Sequence, residues 1–329
     1  MTYDQYIAAL HRELRSSSDK QAAHLRCHPI LLDMSGDSAL FRAILERHVL
    51  KPDSLNATHY PVVAFDLDEI DGYDGLAANC WLPLPGRETH VSIKSIHHHA
   101  SWMLTTITTF GPGYDHWTFT RPEPLDHEQQ LYAMDVRERS PHPVHHVAVV
   151  DAYVPHLPFY PSSLTVTLSF WTNQSPAELK GQSQTPADDA RQEIQSAASA
   201  SQGGPGENAR SEDAVEQLEF YPVAEGFRGL KERIEFELGP NEDYLYSLFH
   251  IIQQTGNEEL APLIEYRLNG NDAIENPALV RQLIRDLRSG VPIEARLSSG
   301  HYGLPGANYT LQELEHAIAA VRRSRLSAA

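Results

Sequence analysis

Ile96-His97-His98-His99 is the stretch that decides how this chain is interpreted, and it stands just ahead of a run rich in Thr, Ile and aromatic residues. Side chains alternate between the two faces of a strand, so His97 and His99 are predicted to share one face while His98 points to the other. Two neutral imidazoles on one face, roughly 6 to 7 Å apart along the strand, can both reach a transition metal through bonds of about 2 Å. The run therefore predicts a metal site.

The distribution of histidine and cysteine supports this prediction. Eleven of the eighteen histidines fall between His59 and His156, so a third ligand has several candidates close by in the sequence. Two further histidines are expected in loops, His116 and His142. The two cysteines, Cys27 and Cys80, are too few for a disulfide framework or a thiolate metal cage. A metal site in this chain is therefore expected to use imidazoles and carboxylates.

The composition is that of an ordinary globular protein of 329 residues, with 41% hydrophobic and 21% charged residues. The formal net charge of −18 disfavours nucleic acid as a partner, because such binding depends on Lys and Arg that neutralise phosphates. No apolar run approaches the roughly 20 residues that span a bilayer, and the first residues lack the pattern of a signal peptide. We therefore expect a cytoplasmic protein that makes no membrane contact and binds small molecules or another protein.

Short runs of strand-forming residues, broken by Gly and Pro, fill the chain from residue 60 to residue 172. Regular short strands with turn residues between them predict a β-sandwich or barrel. The clearest alternation lies between residues 164 and 171, and its apolar face is predicted to be core. That face carries Leu164, Val166, Leu168 and Phe170. The predicted strands are 61–65, 77–82, 91–97, 103–110, 117–120, 145–150 and 164–171.

Helical periodicity surrounds this region on both sides. Residues 1–59 are predicted as an N-terminal helical segment, residues 60–173 as the β-barrel and residues 220–329 as a C-terminal helical region. Residues 174–219 are rich in Gln, Ser, Ala, Gly and Asp and hold almost no large apolar residues, which predicts a disordered acidic linker or long loop. The expected fold class is therefore mainly β with helical additions.

The C-terminal region carries several helix signals of its own. Asn276-Pro277 is typical of a helix start, and Gly290 is typical of a helix end. Thr310 and Glu313 form a predicted capping box at the start of the last helix. The helices are predicted at 230–238, 244–254, 260–268, 276–290 and from 310 onward.

The region 81–171 resembles the cupin superfamily, whose pattern is His-x-His, three or four residues, Glu, six residues and Gly. His97-x-His99, four residues, Leu104, six residues and Gly111 follow that spacing. Leu104 stands in the place of the acidic ligand, and loss of this carboxylate separates the three-His thiol dioxygenases of the cysteine dioxygenase type from most cupins. The resemblance implies a jelly-roll β-barrel that holds a non-haem iron centre.

The resemblance also implies a third ligand ahead of the last barrel strand. Residues 166–171 resemble the Val-Ser-Leu-His-Leu-Tyr strand of these dioxygenases, and the family register then points to His156. His145 and His146 remain alternatives, because either could project inward from the preceding strand. The implied metal ligands are His97, His99 and His156. The implied metal is Fe(II), with zinc as the alternative.

The chain departs from the thiol dioxygenases on the substrate side. Those enzymes carry an Arg shortly after a Tyr upstream of the first motif, whereas Tyr60 is followed by no Arg up to Phe65. Their His and Tyr at the end of the last strand correspond to Ser169 and Trp171. An Arg fork is the usual way to bind a carboxylate, so oxidation of free cysteine is not expected. Other loops carry the remaining candidates, Arg87, Arg121, Arg137 and Arg139.

These observations favour an enzyme, a cupin-type dioxygenase or oxygenase that binds a small-molecule substrate and dioxygen at its three-His site. Tyr153 and Tyr160 are the candidate catalytic residues, since aromatic side chains near the motifs can act as proton and hydrogen-bond partners. The alternatives are a three-His zinc hydrolase or lyase and a non-enzymatic ligand-binding or regulatory protein. The C-terminal helices are the expected contact for a homo-oligomer or a protein partner.

Overall fold

The computed structural model of the chain describes residues 1–17, 19–58, 62–70, 74–84, 91–93, 95–99, 102–173, 219–230, 239–270, 273–296 and 309–328. Almost all of the predicted linker, residues 174–218, lies outside the described residues. The same holds for residues 231–238 of the first predicted C-terminal helix.

The described residues contain two antiparallel β-sheets. The strands are β1 (Val62–Ile70), β2 (Asp74–Trp81), β3 (Ile96–His97), β4 (Trp102–Phe110), β5 (Tyr114–Phe119), β6 (Glu123–Asp126), β7 (Leu131–Ala133), β8 (Val136–His142), β9 (Val147–Val150), β10 (His156–Pro158), β11 (Thr165–Asn173), β12 (Glu219–Val223) and β13 (Gly226–Leu230). One sheet has five strands in the order β1-β2-β11-β4-β9, and the other has eight in the order β6-β7-β13-β12-β3-β10-β5-β8.

The chain crosses from one sheet to the other as it proceeds, which is how a jelly roll is wound. From β3 it passes to β4 in the five-stranded sheet, back to β5 and β8 in the eight-stranded sheet, and then alternates through β9, β10 and β11. The two sheets face one another, because Trp81 of β2 and Tyr114 of β5 have ring centroids only 4.9 Å apart. The predicted jelly-roll barrel with helical additions is confirmed.

The outer face of the five-stranded sheet forms the main hydrophobic core with the N-terminal helices. These helices are α1 (Tyr3–Arg15), α2 (Lys20–Gly36) and α3 (Ser38–Leu50). The predicted apolar face of β11, from Leu164 to Phe170, is buried in this core, as expected. Because strand side chains alternate, Thr165, Thr167 and Ser169 of the same strand must face the barrel interior. The five-stranded sheet thus has an apolar outer face covered by helices and a polar inner face that lines the barrel.

The C-terminal helices cover both sheets from outside. They are α4 (Asn241–Gln254), α5 (Ala261–Leu268), which follows the 3-10 turn Glu258–Leu260, α6 (Pro277–Arg288) and α7 (Leu311–Ala328). The first three extend the core on the five-stranded sheet, whereas α7 packs on β12 and β13 of the other sheet. The predicted capping box at Thr310 is confirmed by its reciprocal hydrogen bonds with Glu313. None of the described helices combines the length and apolar character needed to cross a bilayer.

The prediction that the C-terminal helical region begins at residue 220 is wrong. Residues 219–230 form the hairpin β12-β13, which joins the eight-stranded sheet beside β3. Pro222 disfavours a helix interior because it lacks an N–H group, and Gly226 adopts a φ of 152° where the hairpin turns. Phe220 and Phe227 are buried against α7, so the hairpin gains both ladder hydrogen bonds and apolar burial from its neighbours.

Two histidines tie the N-terminal helices to their neighbours: the buried His24 joins α2 to the five-stranded sheet, and the partly buried His48 joins α3 to α4. The ring nitrogens of His24 in α2 hydrogen-bond to Thr105 Oγ1 at 2.7 Å and to Thr172 Oγ1 at 2.8 Å. His48 Nε2 in α3 lies 2.6 Å from the Tyr244 hydroxyl. Burial lowers the pKa of His24 to about 3 and the pKa of His48 to about 4, so both imidazoles are neutral at pH 7.

Candidate metal centre

The centre of the eight-stranded sheet brings His97 and His156 together. His97 ends β3, and His156 begins β10 directly opposite it in the antiparallel register. Directly opposed residues point to the same face of a sheet. The two rings accordingly lie 4.3 Å apart, and both side chains are buried. Strand pairing, rather than sequence spacing, therefore selects the partner of His97.

His99 completes the cluster from the segment that follows β3. The strand predicted at 91–97 is shorter in the structure, where β3 comprises only Ile96 and His97, so His99 lies beyond its end. The ring of His99 is nevertheless 5.0 Å from that of His97 and 4.6 Å from that of His156. Its carbonyl oxygen accepts a hydrogen bond from the Trp102 N–H at the start of β4. The ligand nitrogens of the three histidines all lie within 4.8 Å of one another.

Backbone carbonyl groups orient two of these imidazoles. The Nδ1–H of His97 donates to the Ser95 carbonyl oxygen at 2.9 Å, and the Nδ1–H of His156 donates to the Val154 carbonyl oxygen at 3.1 Å. A carbonyl oxygen can only accept, so each contact places the ring proton on Nδ1 and the lone pair on Nε2. A hydrogen bond of this kind on the second nitrogen is typical of metal-binding histidines.

His98 points away from the cluster, as the alternation predicts. Its buried ring lies 5.8 Å from the ring of Tyr153, and burial lowers the pKa of His98 to about 4. Tyr153, one of the two predicted catalytic residues, is thus placed beside His98. Tyr160, the other, is buried in a cluster with Trp81 and Tyr114, the pair at which the two sheets meet. The catalytic role of either tyrosine stays a prediction.

The structure separates the three candidates for the third position. His145 is exposed, has a φ of 64° and bonds to Ser35 Oγ through Nδ1 at 2.7 Å. His146 Nδ1 lies 3.0 Å from His142 Nδ1. His156 is the one that joins His97 and His99. The predicted trio is therefore brought together, while the binding of a metal by it stays a prediction.

The prediction that His116 and His142 lie in loops is wrong. His116 lies in β5 and His142 ends β8, and both are buried. The ring of His116 is 5.4 Å from that of His156, so it borders the cluster. Burial lowers the pKa of His142 to about 3. Alternation of Tyr114, His116 and Thr118 along one face was the signal in the sequence that marks this strand.

Hydroxyl and amide groups line the barrel wall that belongs to the five-stranded sheet. Asn79 Nδ2 donates to Ser169 Oγ at 3.1 Å, and Ser169 Oγ donates to Thr106 Oγ1 at 3.0 Å. Trp81 Nε1 donates to Thr167 Oγ1 at 2.9 Å. These bonds place uncharged polar groups inside the barrel.

Of the four predicted arginine candidates, two are exposed, one is partly buried and one lies outside the described residues. Arg139 is exposed, where its guanidinium lies 4.1 Å from the Trp117 ring and pairs with Glu315. Arg137 is also exposed, and Arg121 is partly buried. Arg87 lies outside the described residues.

Glu219 is a residue of this region that sequence reasoning missed. It lies directly opposite His97 in the pairing of β12 with β3, its side chain is buried, and Oε2 accepts a hydrogen bond from Ser95 Oγ at 2.7 Å. Its position follows from the hairpin β12-β13, and no local pattern around Glu219 connects it with a histidine more than a hundred residues earlier.

The donor set fits a first-row transition metal. Three imidazoles that converge in this way suit iron and zinc alike. The Nε2 atoms of His97 and His156, together with a ring nitrogen of His99, would hold the ion. His97, His99 and His156 are thus the residues of the candidate metal centre.

No protein-family model and no curated protein matches the sequence. Among solved structures, the chain is similar to the cupin domain of Schizosaccharomyces pombe Cnp3, with 5% identity, a TM-score of 0.26 and coverage of 42% of this chain and 74% of that one. It is similar to hydroxypropylphosphonic acid epoxidase from S. wedmorenis, with 11% identity, a TM-score of 0.22 and coverage of 33% and 50%. It is also similar to procruciferin, an 11S globulin from Brassica napus, with 11% identity, a TM-score of 0.26 and coverage of 38% and 29%.

The chain therefore spans half of the epoxidase and less than a third of the globulin. Likenesses at these TM-scores place no activity on this chain. Its chemistry has to be argued from its own side chains.

Proposed function

We propose that this protein is a metal-dependent oxygenase, most specifically a non-haem iron dioxygenase, that acts on a small molecule inside the jelly-roll barrel. The observation that carries the proposal is the convergence of His97, His99 and His156, whose ligand nitrogens lie within 4.8 Å of one another. The chemistry that iron(II) supplies when bound is the activation of dioxygen beside the substrate. A dioxygenase places both oxygen atoms in its product, so it needs no external reductant.

The protein contributes orientation and surroundings. The Ser95 and Val154 carbonyl groups hold the imidazoles of His97 and His156 in one tautomer, which removes the cost of reorienting them when a ligand binds. The hydroxyl groups of Thr106 and Ser169 offer hydrogen bonds on the opposite wall. A small substrate held between these walls is positioned for reaction, and such positioning is a large part of catalysis.

Two tyrosines are proposed to support the reaction. Tyr160 is favoured because it packs with Tyr114 and Trp81, where the inner faces of the two sheets meet. Its hydroxyl group would form a hydrogen bond with the substrate or donate a proton to it. Tyr153, which lies beside His98, is the second proposed residue. The thiol dioxygenase type, a cytoplasmic location and contacts with a partner through the C-terminal helices stay predictions.

A pair of indole rings that solvent partly reaches lies next to His99 in the fold. Trp102 and Trp171 stack with ring centroids 6.2 Å apart and an interplanar angle of 13°. Trp102 is joined to His99 through its backbone N–H. We propose this pair as a wall for the substrate, because indole rings combine apolar area with a flat contact surface.

The proposal is tested by elemental analysis of untagged protein purified without added metal. The wild type is compared with a His97→Ala, His99→Ala double variant and with a control in which the exposed histidines are replaced, His127→Ala, His316→Ala. We expect about one iron per chain in the wild type and the control and almost none in the double variant. Dioxygen consumption with candidate small molecules, thiols first, should follow the iron content.

Other results would redirect or reject the proposal. Zinc in place of iron, with activity that is insensitive to dioxygen, would indicate a hydrolase or lyase, since three histidines and a water are also a catalytic zinc arrangement. Absence of metal from the wild type would reject the proposal of a metal-dependent enzyme and favour a ligand-binding or regulatory protein.

A further inference from the structure

Glu219, which follows residues 174–218 in the sequence, places a buried carboxylate beside the candidate metal centre. It begins β12, and the pairing of β12 with β3 sets it directly opposite His97. His156 lies opposite His97 on the other side, in β10. Since directly opposed residues share a face of the sheet, the row across the sheet reads Glu219, His97, His156. The carboxylate therefore lies on the side of the sheet that carries the imidazoles.

Ser95 connects this carboxylate with His97 through two separate hydrogen bonds. Its side-chain hydroxyl donates to Glu219 Oε2 at 2.7 Å, and its backbone carbonyl oxygen accepts the Nδ1–H of His97 at 2.9 Å. Both Ser95 and Glu219 are buried. A hydrogen bond to a carboxylate is stronger than one between neutral groups, so Glu219 fixes the residue that in turn fixes the tautomer and orientation of His97.

The negative charge of Glu219 is a second way in which this residue can support the metal centre. Three neutral imidazoles leave the double positive charge of a divalent ion uncompensated, and Leu104 places no charge at the next position of the motif. A cation buried without a negative partner is costly. A carboxylate on the same face of the sheet reduces that cost without being a ligand itself, since attraction between buried charges is weakly screened.

We propose that Glu219 is a positioning residue of the metal centre, which orients His97 through Ser95 and compensates the charge of the bound cation. This inference rests on the proposed function, because it requires the three histidines to bind a metal. It also makes the centre dependent on the hairpin β12-β13, so the site is completed by chain that lies beyond residue 218.

The test measures the affinity of the metal-free, full-length protein for Co(II) and for Zn(II) in the wild type and in variants at Glu219 and Ser95. Glu219→Gln keeps an oxygen that accepts the Ser95 hydroxyl and removes the charge, whereas Ser95→Ala keeps the charge and removes the link. Glu219→Asp keeps the charge on a shorter side chain. Glu225→Gln is the matched control, because Glu225 is exposed at the turn of the same hairpin.

We expect Glu219→Gln to lower the affinity for both Co(II) and Zn(II) by about 10–100-fold, which is the usual cost of losing a partner of a metal-binding histidine. Ser95→Ala should weaken them less, Glu219→Asp should recover part of the loss, and Glu225→Gln should match the wild type. The absorption spectrum of the Co(II) protein should change in Glu219→Gln, which a purely structural role at the hairpin would not cause. Thermal unfolding of each metal-free variant measures that structural role separately.

The outcomes distinguish this inference from the proposed function. If the wild type binds neither metal, the proposed function fails and the inference falls with it. If the wild type binds metal and Glu219→Gln does so equally well, the role of Glu219 is overturned while the three-His site stands. If the loss in Glu219→Gln is matched by a lower unfolding temperature without metal and is not recovered by Glu219→Asp, Glu219 is structural and the inference is also overturned.

Discussion

His24 and His97 are both buried histidines of this protein, and they differ in what their ring nitrogens contact. His24, between α2 and the five-stranded sheet, has one threonine hydroxyl on each nitrogen. His97, inside the eight-stranded sheet, has its Nδ1 held by a backbone carbonyl group and its ring surrounded by two further imidazoles. Hydroxyl groups can satisfy both nitrogens of a neutral imidazole, whereas three imidazoles whose ligand nitrogens converge suit a shared cation.

The comparison shows that burial alone does not identify a functional histidine. Burial lowers the pKa of His24 and that of His98, yet neither belongs to the cluster. The partner of the second ring nitrogen is the more informative feature, because it decides which lone pair is presented and in which direction. His24 should therefore affect stability, and His97 should affect metal binding.

The largest expected effect comes from the third ligand. His156→Ala should lower metal affinity by more than the roughly 10–100-fold that loss of an outer partner costs, because a metal-binding atom itself is removed. His145→Ala should leave metal affinity unchanged, since His145 is exposed and bonds to Ser35. Metal titration of both variants measures the difference. Equal loss in the two variants would break the distinction between them.

The second effect concerns stability rather than metal. His24→Ala should lower the free energy of unfolding by about 2–4 kcal/mol, because it leaves a cavity and two buried hydroxyl groups, on Thr105 and Thr172, without their imidazole partner. Urea unfolding in the presence of a chelator measures it. His316→Ala, at an exposed position of α7, is the control and should change stability little. Metal affinity of folded His24→Ala should equal that of the wild type.

The pH dependence of stability should follow the structural histidines. In the folded protein burial lowers the pKa of His24 to about 3 and the pKa of His48 to about 4, from an ordinary value of 6.5. Below pH 6.5 the unfolded chain therefore binds protons that the folded chain does not. Stability is complete above that value and falls as the pH is lowered toward the folded pKa values, by about 2 kcal/mol for each histidine between about pH 7 and about pH 5.

Urea unfolding of the metal-free protein at several pH values measures this slope. A His24→Gln variant should be less stable overall but should lose less stability on acidification, because the contribution of His24 to the titration is removed while those of the other buried histidines remain. A slope that is the same in this variant and in the wild type would contradict the assignment of His24.

The smallest expected effect is at the indole pair. Trp102→Ala should lower the free energy of unfolding by about 1 kcal/mol through loss of the stack on Trp171, and Trp102→Phe by less. Metal content should stay that of the wild type in both, since the contact with His99 uses the backbone N–H. If Trp102 is a wall for the substrate, the KM for an active substrate should rise in Trp102→Ala while kcat changes less. A loss of metal in this variant would instead make Trp102 part of the ligand support.

Much of the fold could be predicted because its signals are local. Alternation of apolar and polar residues located β11 and its buried face, and helical periodicity with caps located α4 to α7. The strands that were missed, β6 to β8 and β10, are short or polar, and their pairing partners supply the hydrogen bonds that hold them. The prediction of a helical region at residues 219–230 was wrong for the same reason. Pairing with the neighbouring strand β3 favours the hairpin over a helix, and the local sequence does not show that pairing.

The sequence by itself determined that His97 and His99 stand together and that His98 turns away, because these relations depend on neighbouring residues and the geometry of an extended chain. Its register against a known family also indicated His156. Only the tertiary structure decided that His156 and Glu219 lie on either side of His97, that His116 borders the cluster and that His145 does not. Strand pairing brings together residues that are tens or more than a hundred positions apart, and nothing local in the sequence specifies that register.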